Sequence, residues 1–175
     1  MRKIAPALVW PALFALAALG GAAFCDQILP QMNALFRMGM AIGSKMGGSF
    51  GTDLLVALFI FGKNLSVAVL CTAAGRPTRG AVPAVVCVAN GVALGVLAGL
   101  LKQDIGLPYW RFALMLAPHG VIELPAIFWA CTTGMGAVDL KTRIVNGLRA
   151  PAALLAAAAV VETWVSPVVG RMVVG

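Results

Sequence analysis

A chain of 175 residues that is 61% hydrophobic and only 11% charged lacks the polar surface of a soluble domain, in which about a quarter of residues are charged. It reads as a single integral membrane domain, residues 1–175, because its apolar segments are joined by short links and no polar stretch is long enough to fold alone. The net charge of +7 does not indicate nucleic acid, since the 13 Lys and Arg are spread over interhelical loops rather than gathered into one basic stripe.

The first apolar segment covers about 4–24, with Pro6 and Pro11 near its start, where a helix tolerates proline best. Met1-Arg2-Lys3, then an apolar run ending Gly-Ala-Ala-Phe-Cys, has the look of a signal peptide with cleavage near Ala23. It is read here as a retained first helix. A lipoprotein reading of Cys25 fails on Phe24, which occupies a position where a small residue is expected. From Asp26 to Asp53 the pattern is mixed, and an interfacial amphipathic helix over about 30–45, followed by a Gly47-Gly48 hinge, fits better than a membrane span. An ordinary connecting loop is the alternative there.

The second segment, about 54–75, is apolar except for Lys63 and Asn64 at its middle, and Arg76-Pro77-Thr78-Arg79 closes it. The third, about 81–101, carries Asn90 and the row Gly91, Gly95, Gly99. That four-residue spacing strips side chains from one ridge, so another helix can approach closely. Packing inside the bundle is the primary reading and a homodimer face the alternative. Lys102-Gln103-Asp104 and Tyr109-Trp110-Arg111 mark an interface, the aromatics sitting where headgroups meet hydrocarbon.

The fourth segment, about 113–138, contains Pro118-His119-Gly120-Val121-Ile122-Glu123-Leu124-Pro125-Ala126, with the only histidine and one of the six acidic residues. His119 and Glu123 are i and i+4 and share a helix face. Pro118 and Pro125 remove the hydrogen bonds to the carbonyls of Leu114 and Val121, so a kinked or broken backbone is expected. Asp139-Leu140-Lys141-Thr142-Arg143 ends this segment. The fifth, about 150–169, is alanine-rich at first and then carries Glu162 and Ser166-Pro167. The fold class that follows is an all-α membrane bundle of five transmembrane helices, each near the roughly 20 residues a bilayer requires, plus the interfacial helix.

Cys25, Cys71, Cys87 and Cys131 show neither C-x-x-C spacing nor clustering along the chain, and are read as small core residues. Orientation follows the basic residues. With the amino terminus inside, seven (Arg2, Lys3, Arg76, Arg79, Lys141, Arg143, Arg149) lie on the inner side and five (Arg37, Lys45, Lys102, Arg111, Arg171) outside. The bias predicts a cytoplasmic amino terminus and an outer carboxyl terminus in the cell (inner) membrane.

Lys63-Asn64, Asn90, His119 with Glu123, and Glu162 all fall near the midpoints of their segments. Charged and amide groups exposed to lipid cost several kcal/mol, so four helices placing theirs at one depth predicts one polar cluster at the midplane. Lys63 can pair there with Glu123 or Glu162. One lysine against two carboxylates leaves −1, so such a site should hold a proton, on His119 or on a glutamate. Three readings compete: a structural or switch-like cluster that locks packing, a proton- or ion-coupled transport site of the alternating-access kind, and a metal site of His119, Glu123 and Glu162. The last lacks a second histidine or nearby thiol to complete a zinc set, so no metal and no cofactor is expected. H-x-x-x-E without H-E-x-x-H, and the lack of a nucleophile elbow, P-loop or Rossmann glycine pattern, give no enzymatic signature.

Phe61-Gly62-Lys63-Asn64, Asn90-Gly91, the Pro118-to-Ala126 block and Glu162 with Ser166-Pro167 together resemble the stage II sporulation protein M family, over roughly 54–167. Lys63 departs from the pair of asparagines usual there. The resemblance implies a small multi-helix membrane protein without recognised catalytic activity. It also implies a role as scaffold or assembly factor for other membrane or envelope proteins, cell-wall hydrolases in the sporulation member. The partners expected are thus the lipid bilayer, such proteins and a second copy of the chain, with no nucleic acid. Transport of a small solute is the alternative.

Overall fold

The computed structural model describes residues 6–30 and 49–174. Seven α-helices and one π turn follow in order among them: α1 Pro6–Ala23, α2 Phe50–Ala74, α3 Ala81–Ile105, α4 Tyr109–Gly134, α5 Leu140–Gly147, α6 Arg149–Val160, the π turn Val161–Val165, and α7 Ser166–Val174. A short helical stretch at 25–30 follows α1, and no strand occurs among the described residues. The all-α membrane bundle is therefore what the chain forms. Four helical units, α2, α3, α4 and the continuous Arg149–Val173, are long and apolar enough to cross a membrane, and α1 is a shorter apolar helix. The expected interfacial helix at about 30–45 lies outside the described residues.

Helix ends differ from the hydropathy pattern where caps decide them. Ser49 starts α2 ahead of the apolar run, its Oγ accepting the N–H of Thr52 at 3.3 Å, with Asp53 in the first turn. Gly106, at φ 68°, ends α3 in the left-handed conformation, and the N–H of Leu107 closes on the carbonyl of Leu101 at 3.2 Å. α4 runs without interruption through Pro118 and Pro125, so the backbone is not broken there: the remaining hydrogen bonds on each side hold the helix together across each lost one. α5 was not signalled by composition. Asp139 caps it by accepting the N–H of Thr142 at 2.9 Å.

α1 lies alongside α3 and runs parallel to it. A Cβ at Gly91 would meet Ala17 Cβ at 2.9 Å, one at Gly95 would strike the Ala18 carbonyl, and one at Gly99 would meet Cys25 Cβ at 2.9 Å. The glycine ridge is thus filled from within the chain, and the alternative of a homodimer face built on it is displaced by α1. Gln103 ties the far end, donating to Asp26 Oδ1 at 3.0 Å and to Cys25 Sγ at 3.1 Å. Because α1 and α3 run the same way, the start of α1 shares a side with the α2–α3 and α4–α6 connections, where Trp10 packs 3.5 Å from the Cβ position of Gly80.

Cys71, Cys87 and Cys131, dispersed along the sequence, come together as buried free thiols in one core cluster with Ala68, Ala130 and Leu155. At the close approach of α2 and α4, a Cβ on Gly75 would stand 2.7 Å from the Gly134 carbonyl carbon. Here Arg143 of α5, only 6% exposed, donates Nη1 to the carbonyls of Gly134 (2.8 Å) and Thr72 (3.4 Å). Both carbonyls lie in last turns, so the guanidinium sits at the negative ends of two helix dipoles.

Candidate functional site

α4 supplies two of the site's groups from one face. His119 and Glu123 are one turn apart and partly buried, and the small Gly120 beside them is buried. Glu162 comes from the π turn of the last span. Pro167 has no N–H and its ring would press on the carbonyl of Thr163, four residues back. The preceding turn is widened, with the N–H of Ser166 on the carbonyl of Val161, five residues back. Glu162 lies in that widened turn, and the structure brings one ligating atom each from His119, Glu123 and Glu162 within 4.8 Å of one another.

Ser166 orients the histidine. Its Oγ lies 2.8 Å from His119 Nδ1 and donates to the carbonyl of Val161 at 3.3 Å. A hydroxyl has one proton: placed on the Val161 carbonyl, it lets Nδ1–H donate to Oγ and leaves the lone pair on Nε2; placed on Nδ1, it gives the other tautomer.

A cavity of about 520 Å³ opens on this group, lined by His119, Glu123, Glu162, Lys63, Asn90 and the apolar side chains of Ile60, Leu94, Leu97 and Leu116. A second space, about 20 Å³, lies between Asn64, Asn90, Glu123 and Phe14. All six residues expected at the midplane therefore line these two spaces. Their pairing departs from expectation. Lys63 is exposed and lines the larger cavity, and no ion pair joins it to either glutamate among the described residues. Asn90 donates to the carbonyl of Val86 on its own helix at 2.8 Å. Asn64 is 3% exposed, and its Nδ2 faces Glu123 without a hydrogen bond of regular length and angle.

Sequence reasoning did not single out Ser166 as a partner of His119, although the Ser-Pro pair one turn after Glu162 is a local signal. It also missed Phe14, which joins both cavity walls from α1. Gly91, Gly95 and Gly99 do not line either cavity; they serve the α1 contact. Pro118 and Pro125 lie inside a continuous helix, and Pro167 sets the π turn.

Comparison with protein families matches residues 10–167 to the model described as Stage II sporulation protein M. No curated protein and no solved structure matches the chain.

Proposed function

The chain belongs to the Stage II sporulation protein M family, and from that membership and the cavity on its polar cluster we propose that it is a non-enzymatic membrane protein that receives a small cation or polar solute among its helices, the binding step of a carrier. The observation that carries the reading is the cavity of about 520 Å³ on the His119, Glu123 and Glu162 group. A cluster kept only to lock packing would be filled, whereas here its polar side chains line an open space. Polar side chains at this depth next to a widened helical turn are what intramembrane ion sites use. The test is flux of labelled cations into liposomes holding the purified chain. Uptake that Glu123→Gln abolishes supports the reading, and uptake equal to that of empty liposomes for a panel of mono- and divalent ions removes it.

The scaffold role is the second reading, favoured by family membership. Under it the cluster sets the conformation that partner membrane or envelope proteins recognise, and His119→Ala would lose those partners from native membranes. Both readings share one topology. The chain sits in the cell membrane with its amino terminus in the cytoplasm, supported by Arg76, Arg79, Lys141, Arg143 and Arg149 lying on the side where α1 begins.

A further inference from the structure

We propose that His119, Glu123 and Glu162 form a site for one divalent first-row transition cation of the Zn²⁺ type, with Ser166 as the residue that orients the histidine. The inference rests on reading this cavity as one that receives a solute, and names its chemical class. Two carboxylates brought within 4.8 Å of each other and of an imidazole nitrogen repel one another unless a cation or a proton lies between them. Lys63 lines the same cavity but makes no ion pair with either glutamate among the described residues. A divalent ion neutralises both carboxylates at once. The geometry is within reach: three ligands at about 2.1 Å from a tetrahedral ion stand about 3.4 Å apart, so small side-chain rotations close the set. The cavity side remains open for a fourth ligand, solvent or a counter-ion.

The donor set selects the metal. One imidazole and two carboxylates suit Zn²⁺ and its neighbours, whereas Ca²⁺ and Mg²⁺ prefer oxygen alone and more of it. The surroundings fit as well. Metal-bound histidines give their second ring N–H to a fixed acceptor, a part that Ser166 Oγ is placed to play at Nδ1 with its own proton on Val161. Asn64 Nδ2, buried beside Glu123 and turned to its carboxylate, is a donor placed to serve the outer oxygen of a metal-bound carboxylate.

The test uses the full-length chain in detergent, stripped with chelator and titrated with Co²⁺ as a visible probe, with elemental analysis for stoichiometry. The expected result is one Co²⁺ per chain, displaced by Zn²⁺, with binding weakened at least about 100-fold in Glu162→Gln and His119→Gln and about 10- to 100-fold in Ser166→Ala. Lys63→Met removes a competing cation and should tighten binding about 5-fold, a change of sign that misfolding cannot imitate. Sub-stoichiometric binding, binding that survives Glu162→Gln, or no tightening in Lys63→Met overturns the site; the last two point to a shared proton instead. Stoichiometric metal without flux in liposomes keeps the site and removes the carrier reading. Flux through a chain that binds no metal does the reverse.

Discussion

His119 Nδ1 and Ser166 Oγ stand 2.8 Å apart across two spans 47 residues distant in sequence, and the hydroxyl also lies 3.3 Å from the Val161 carbonyl. With the hydroxyl proton on that carbonyl, the ring of the only histidine in the chain carries its proton on Nδ1. Ser166→Ala should release the ring. ¹⁵N spectra of the imidazole in metal-free protein should show a protonated Nδ1 in the parent and a mixture in the variant, with about 1 kcal/mol of stability lost.

The glycine ridge makes a steric prediction with an internal control. Gly95→Val places side-chain atoms against the Ala18 backbone, whereas a Cβ at Gly62 meets nothing within 4 Å. Unfolding in mixed micelles should show Gly95→Val destabilised by about 1–3 kcal/mol or more, with protease cleavage after α1 accelerated. Gly62→Ala should match or slightly exceed the parent.

Arg143 joins two helix termini, so its loss leaves the Gly134 and Thr72 carbonyls without that donor. Arg143→Met should cost about 1.5–3 kcal/mol. Arg143→Lys should recover only part of it, because a point charge cannot span two acceptors as a planar guanidinium does. Thermal unfolding of the three proteins is the check.

Asp139 caps α5 with an exposed carboxylate, and the backbone N–H of Thr142 holds its pKa below the usual aspartate value. A depressed folded-state pKa means stability that is present above the unfolded pKa, about 3.9, and lost as the pH falls through the folded value. Asp139→Asn keeps a capping oxygen and should remove this acid sensitivity of α5, read by amide exchange at Thr142 between pH 2 and pH 5.

The spans and the depth of the polar groups were legible because both are one-dimensional: hydropathy counts residues, and midpoints align when segments have similar length. The Gly91, Gly95 and Gly99 spacing likewise announced a close helix contact, though not that α1 would fill it. What stayed hidden depends on pairs distant in sequence. Arg143 looks like any loop arginine until the ends of α2 and α4 are brought to it. Lys63 and Glu162 suggest an ion pair by charge alone, and only side-chain placement shows the lysine lining the cavity without that pair among the described residues. The π turn arises from Pro167 acting backward on Thr163, a local effect, but its outcome, Glu162 meeting α4, is tertiary.

The seating of α1 in the α3 ridge bears on its leader-like start. A peptidase cut after Ala23 would strip away the element that fills the Gly91–Gly99 furrow and leave acyl chains to occupy a slot moulded to Ala17, Ala18 and Ala22. The leader-like segment thus packs as one wall of the bundle, against α3.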